Sequence, residues 1–406
     1  MVKRLLLMLL VVVFMAPAAM ALDVNPGGKG DALIMGYYNA RNALTYIRIV
    51  NTNPTKGIIG KLRFREGKNS EEVLDFVVCL SPGDEFSAIL MDPGEGQPAV
   101  LYRGTDMISD SDTTTVPGNW TSVYLRYSAT GAASTVDVED TKEGYIEFIA
   151  YSAYSGVETL TSDECKDIVE GNSVEGVTVE DASNDLMATV EIVKYTDNLP
   201  IFSYRATAIA NTSDHVITGV SATGADDPIF HGILSNNSPA QTIEDLNAIL
   251  NKSAFYGLYD LREDLGAKTD LVITFPTKKE TAAYAPTAYE DYFTEDGCVT
   301  VKFDVYDDQE NTITQEIDFS PYTVQTNSLC YEVNYLMVGG VNSILDTDLN
   351  TVSIQTGDFD FGWLKVYFDN DKDDYVPALG YELQVWADGA LSRMLELAYD
   401  ANVSLE

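Results

Sequence analysis

The chain has 406 residues, 63 of them acidic and 25 basic, for a formal charge of -38. A field of that sign repels phosphate backbones and anionic lipid surfaces, which excludes nucleic acid as a partner. With 45% hydrophobic residues the chain also lies outside the disordered class, and it is long enough to bury one large core or two smaller ones.

Residues 1–21 read as an export signal. Lys3 and Arg4 give a basic start, Leu5 to Met15 is an unbroken apolar run, and Ala19-Met20-Ala21 fits the pattern cut by signal peptidase. No later stretch approaches the roughly 20 apolar residues of a membrane helix, so no transmembrane helix is expected in the mature chain. The expected location is secreted, whether extracellular, on the cell surface or in the periplasm.

Beyond the leader, period-two alternation dominates. The clearest case puts Val299, Val301, Phe303 and Val305 on one face and Thr300, Lys302, Asp304 and Tyr306 on the other, the mark of a strand with one buried side. In chain order the pattern predicts strands over 32–38, 46–51, 59–65, 73–80, 122–128, 145–151, 188–194, 202–210 and 271–275. It then predicts 299–307, 312–317, 331–338, 363–368 and 381–386, with Gly, Pro, Asn and Asp clusters between them. Many short strands with this punctuation predict a mainly β fold, an antiparallel β-sandwich with one or two short helices.

The spacing Thr161-Ser162-Asp163-Glu164 is that of a capping box and predicts a short helix to about Val169. Ser238 followed by Pro239 reads as N-cap and first helical position. Ile243, Leu246, Ile249 and Leu250 then form an apolar stripe, so a helix is expected over about 239–252 and its stripe against a sheet. The expected division is a β-rich lobe over 22–160, a mixed segment over 161–268 and a second β-rich lobe over 269–406, with the lobes free to intertwine.

An exported chain with four cysteines is expected to form two disulfides. Cys298 and Cys330 each begin an alternating segment after a polar loop, so a bridge between them would tie two strand starts. Cys79, within a strand, and Cys165, on the short helix, form the second expected pair, with a buried free thiol at Cys79 as the alternative. Zinc is disfavoured, because no two cysteines are near in sequence and the only histidines are His215 and His231.

Calcium is the cofactor the sequence favours. Asp369, Asp371 and Asp373 place carboxylates at alternate positions, as hard-cation loops do, and Asp346-Thr347-Asp348-Leu349-Asn350 repeats the spacing. Neither is an EF-hand loop, and a solvated acidic loop is the competing reading of both.

The segment Lys61-Leu62-Arg63-Phe64-Arg65-Glu66-Gly67-Lys68-Asn69-Ser70, continuing to Phe76, resembles a stretch of a family of secreted, surface proteobacterial proteins. So do Glu143-Gly144-Tyr145-Ile146-Glu147, the run Thr269 to Lys278, and Leu329-Cys330-Tyr331-Glu332-Val333-Asn334. The family is uncharacterised, so the resemblance implies export and a shared fold and carries no chemistry.

No nucleophile elbow, zinc-protease helix, phosphate loop or haem attachment motif occurs. Paired carboxylates are able to hydrolyse glycosides, but among 63 acids such pairs arise by chance. Trp363 and Trp386 fall in strand patterns and read as core. The chain is therefore expected to be a non-enzymatic extracellular or surface structural protein. Ala32 to Tyr38, behind the flexible Gly27-Gly28-Lys29-Gly30, is a candidate to complete a neighbouring subunit's sheet and build filaments. Its competing reading is the first strand of its own sandwich. The alternative function is a glycan- or calcium-binding surface module with polysaccharide as partner; an outer-membrane β-barrel is disfavoured by short, irregularly spaced strands.

Overall fold

The computed structural model describes residues 22–103, 114–116, 120–125, 137–196, 198–212, 216, 218, 238–309, 311–315, 328–340, 342–349, 351–368 and 375–401. The leader, His215, His231, Asn350 and the acidic loop with Asp369, Asp371 and Asp373 lie outside the described residues.

The protein is mainly β, and its described residues build four sheets that pair antiparallel apart from Val333–Val338 against Thr351–Ile354. Sheet 1 runs in the order Leu22–Val24, Thr207–Asn211, Ala32–Asn39, Glu143–Ser155, Gly57–Glu66, Glu72–Leu80, with Thr178–Glu180 beside the long strand Glu143–Ser155. Sheet 2 runs Ile201–Arg205, Leu186–Lys194, Ala43–Asn51, Glu85–Met91, Val100–Arg103, Trp120–Tyr124, Thr114–Val116. Sheet 3 runs Thr312–Gln315, Val299–Asp307, Phe361–Phe368, Asn251–Asp260, Val376–Pro377, with Ser328–Leu329 and Ala398–Ala401 on its flanks. Sheet 4 runs Thr351–Ile354, Val333–Val338, Lys268–Thr274, Leu379–Trp386, Leu391–Glu396.

Among the described residues, sheets 1 and 2 draw on 22–211 and sheets 3 and 4 on 251–401. The seam in strand pairing therefore falls after Asn211 and not near residue 160, since the strands between 178 and 211 complete the first sandwich. Alternation explains both cores. Leu33, Met35, Leu62, Phe64, Ile146 and Phe148 share one face of sheet 1 and cluster with Ile47, Ile49, Val190 and Ile192 of sheet 2. Val301, Phe303, Val305, Leu364 and Val366 of sheet 3 cluster with Leu271, Ile273, Leu336 and Val338 of sheet 4.

Ala32–Asn39 is an interior strand, hydrogen-bonded to Thr207–Asn211 on one side and Glu143–Ser155 on the other, and buried at every position. It is the first long strand of its own sandwich. Among the described residues, the terminal strand at the edge of sheet 1, Leu22–Val24, pairs with Thr207–Asn211 alone.

Among the described residues four α-helices join the sheets: α1 (Ser162–Val169), α2 (Pro239–Leu250), α3 (Lys278–Tyr284) and α4 (Pro286–Tyr292). The capping box of α1 is complete, with Glu164 N donating to Thr161 Oγ1 and Thr161 N to Glu164 Oε2. Ser238 caps α2, and Ile243, Leu246 and Leu250 are buried. Helices α3 and α4 were not foreseen: each has seven residues, too few for an apolar stripe, and Pro286 separates them.

The cysteines join as Cys79 with Cys165 and Cys298 with Cys330, across Cα–Cα distances of 6.5 and 4.0 Å. The first fastens α1 to the edge strand Glu72–Leu80. The second closes neighbouring strands in sheet 3, where Val299 lies opposite Leu329.

The free face of sheet 1 meets the free face of sheet 4. Thr274 Oγ1 donates to Gly36 O at 2.5 Å, and the rings of Tyr37 and Tyr335 lie 6.3 Å apart. Gly36 permits this approach, because a Cβ there would come within 2.6 Å of the Tyr381 ring.

Candidate functional site

Two places concentrate side chains with chemical capacity: the seam between the sandwiches and the outer face of sheet 3.

At the seam, alternation on strand Gly57–Glu66 points Lys61, Arg63 and Arg65 away from the first core. All three are buried. Lys61 pairs with Asp75 and Arg63 with Glu72 on the neighbouring strand. Arg65 donates through Nε to Glu147 at 3.0 Å, through Nη1 to Ser70 O at 2.8 Å, and through Nη2 to Glu280 on α3 at 3.0 Å. Tyr145 OH shares a hydrogen bond with Ser70 Oγ at 2.7 Å and donates to Pro276 O at 3.2 Å. Lys278 Nζ donates to Cys330 O at 2.6 Å and lies 3.9 Å from Glu332.

A second part of the seam centres on Glu143, which accepts from Tyr37 OH at 2.8 Å, Asn39 Nδ2 at 3.0 Å, Arg41 Nε at 3.2 Å and Asp348 N at 2.8 Å. Nearby, Asp270 Oδ2 accepts from Tyr335 OH at 2.8 Å and Ile344 N at 2.6 Å. The four segments quoted above for their resemblance all end here: Arg65 and Ser70, Glu143 and Glu147, Asp270 and Lys278, and Glu332.

Burial governs the protonation of these acids, because removal from water disfavours the charged form. It pushes Asp270 up to about 7, against the two hydrogen bonds it accepts. It pushes Glu332 up to about 8, against the Lys278 ammonium. Glu143 and Glu147 are raised by the same cause, opposed for Glu147 mainly by Arg65. Among the described residues, Glu147 Oε1, Glu280 Oε2, Glu332 Oε2 and Thr277 Oγ1 are buried without a hydrogen-bond partner. The seam thus holds acids, bases and a guanidinium at close quarters, but Arg65, Glu147, Glu280 and Glu332 are at most 5% exposed. A substrate has no approach to them while the sandwiches are together. At the seam's rim a cavity of about 190 Å³ is lined by residues that include Lys194, Lys268, Ser343 and Asp388.

The outer face of sheet 3 is the opposite case, open and aromatic. In strand register Tyr306 stands opposite Trp363 and Trp363 opposite Leu258; in the next row Asp304, Lys365 and Tyr256 align, and then Lys302 and Tyr367. The Tyr306 and Trp363 rings stack at 3.8 Å with planes 6° apart. Lys365 Nζ lies 5.5 Å from the Tyr256 ring and 5.3 Å from that of Tyr367. Arg262 sits over Phe361 at 4.8 Å. Leu258 is 55% exposed, Phe361 38% and Trp363 37%.

Trp363 is therefore on the surface, contrary to its reading as core, because Leu364, Val366 and Phe368 take the inward positions. Trp386 is half-buried and donates through Nε1 to Asp260 Oδ2 at 2.9 Å. The signal for the open face was present in the sequence: Phe361 to Phe368 is apolar at both parities, which a one-sided strand does not require.

Asp346 and Asp348 are engaged by cations of the first sandwich, Asp346 with Lys194 at 3.2 Å and Asp348 with Arg41 at 3.3 Å and Lys68 at 3.8 Å. Among the described residues no group of three or more His, Cys, Asp or Glu side chains is arranged to hold a metal ion, and no helix is long and apolar enough to cross a membrane. Compared with protein-family models, curated proteins and solved structures, the chain matches none.

Proposed function

We propose that this chain is an exported, non-enzymatic component of the cell surface or extracellular matrix, a rigid body made of two joined sandwiches that carries an exposed working face. The observation that supports this reading is the contrast between its two chemically equipped regions. The acid–base groups at the seam are closed in by the packing that joins the sandwiches, whereas Leu258, Phe361 and Trp363 on the outer face of sheet 3 are exposed. Disulfides fastening α1 to sheet 1 and two strands within sheet 3 suit a body that works in an oxidising exterior.

The test is cell fractionation joined to negative-stain microscopy of the mature protein, purified without detergent, with calcium and with chelator. Recovery at the cell surface or in the matrix supports the reading, and recovery confined to the cytoplasm contradicts it. Self-assembly is a second reading, favoured by the short terminal strand Leu22–Val24, which among the described residues has a partner strand on one side and is followed by Gly27, Gly28 and Gly30. That edge strand is easier to release than Ala32–Asn39. Regular filaments lost on deleting residues 22–30 support it; dispersed particles under all conditions contradict it.

A further inference from the structure

We infer that Lys278 and Glu332 become joined by an amide bond, a cross-link that the chain forms on itself by condensing the Lys278 amine with the Glu332 side-chain carboxyl. The inference stands apart from where the chain works.

The two residues arrive from different elements. Lys278 is the first residue of α3, and Glu332 immediately precedes the strand Val333–Val338. Phe275 N donates to Glu332 O at 2.7 Å, which fixes the two segments against each other. Lys278 is 6% exposed and Glu332 4%. The Phe293 ring lies 5.7 Å from Nζ, and Gly297 closes another side, where a Cβ would come within 3.5 Å of Nζ.

As an ion pair this contact is poorly made. Charge-assisted bonds between an ammonium and a carboxylate close to about 2.7–2.9 Å. Here Nζ stands 3.9 Å from Oε1 and donates instead to Cys330 O at 2.6 Å. Among the described residues Glu332 Oε2 is buried without a hydrogen-bond partner. Two buried charges held in this way have little to offset the cost of leaving water.

As reactants the two are well placed. The carboxyl carbon is one C–O bond, about 1.2 Å, from Oε1, so it lies at most about 5 Å from Nζ. A side-chain shift of about 2 Å or less brings the pair to reacting distance, about 3–3.5 Å, and fixed proximity replaces a bimolecular encounter. An amine and a carboxylic acid fail to condense in water because each ionises the other: the ammonium has no lone pair, and the carboxylate resists attack. Burial opposes both ionisations. It lowers Lys278 and raises Glu332, in each case against the attraction of the partner. The lone pair of the neutral amine forms the Nζ–Cδ bond. The bond from Cδ to the hydroxyl oxygen breaks, and that hydroxyl leaves as water with the proton the nitrogen gives up. One amine and one carboxylic acid thus become one amide and one water, with no oxidant and no cofactor. Once joined the pair no longer titrates, and Asp270 then carries the pH dependence that Glu332 shares as a free acid.

The test is intact-mass spectrometry of the full mature chain, unfolded with its disulfides kept, followed by tandem mass spectrometry of its tryptic peptides. The inference expects a mass one water below that of the sequence with two disulfides, no cleavage after Lys278, and a branched peptide that links Lys278 to Glu332. Lys278→Met and, separately, Glu332→Leu are expected to restore the full mass. Lys279→Met, which removes the neighbouring lysine that pairs with Glu71 at 2.7 Å, should keep the loss. A full mass in the native chain overturns the inference whatever the variants do, as does tryptic cleavage after Lys278. A lost water that maps to Asp296-Gly297 or Asp388-Gly389, where an aspartyl succinimide has the same mass, also overturns it. So does a loss that persists in both Lys278→Met and Glu332→Leu.

Discussion

Arg65, on a strand of the first sandwich, donates to Glu280, on a helix of the second, at 3.0 Å, while its Nε holds Glu147 of its own sheet at the same distance. One guanidinium thus neutralises two buried carboxylates that belong to different lobes. Removing it leaves both acids buried and unpaired, which typically costs about 3–5 kcal/mol. Arg65→Met is expected to lower the calorimetric midpoint and to split one unfolding transition into two. Adding Glu147→Gln and Glu280→Gln should restore part of the loss; an unchanged single transition in Arg65→Met would show that the lobes are joined by other contacts.

The raised acids make stability depend on pH in a defined direction. Burial holds Asp270 up to about 7 and Glu332 up to about 8, whereas exposed carboxyls in an unfolded chain titrate near about 4. The folded state therefore binds more protons through that interval. The stabilisation is complete below the unfolded value and is lost as pH rises through the folded ones. The melting temperature is expected to fall by several degrees between about pH 5.5 and about pH 8.5. Asp270→Asn keeps an acceptor for Tyr335 and Ile344 and cannot ionise, so its profile should be flatter. A native profile that rises across the same range would contradict the assignment.

The two disulfides should differ in effect. Cys79 and Cys165 are separated by 86 residues and Cys298 and Cys330 by 32. On chain entropy alone the longer closure is worth about 4–5 kcal/mol and the shorter about 3–4 kcal/mol. Replacing both members of a pair by Ser is expected to lower the urea midpoint more for the first pair than for the second. The reverse order would mean that local packing in sheet 3 outweighs loop closure.

Truncation separates the two N-terminal strands. Deleting residues 22–24 removes a short edge strand and the buried Leu22 side chain, so the product should fold with reduced stability. Extending the deletion to Asn39 removes a strand paired on both sides and is expected to abolish cooperative unfolding. A folded product of the longer deletion, judged by circular dichroism and a sigmoidal melt, would contradict the interior placement of Ala32–Asn39.

Much of the fold was legible because one-sided strands declare themselves. Val299–Asp307 alternates cleanly, since only its inner face meets a core, and its predicted limits are those observed. The strand Asn251–Asp260 was missed for the converse reason. Phe255 and Tyr259 point inward while Tyr256 and Leu258 point outward, so apolar residues occur at both parities and no period of two emerges. The open face hid its own strand. The seam was illegible for a different cause: Arg65, Glu147, Glu280 and Glu332 come from four separate segments, and ion pairs between distant segments leave no periodic mark. The capping residues Thr161 and Ser238 were readable because their partners lie three positions away.

Hydrogen–deuterium exchange of the native chain and of Arg65→Met reads out directly whether the polar seam holds the two sandwiches together, since Arg65 bonds Glu147 on one side and Glu280 on the other. Faster exchange in Arg65→Met that is largest in peptides spanning 57–66, 143–155 and 278–284 is the expected result. Exchange of those peptides that matches the native chain would contradict it.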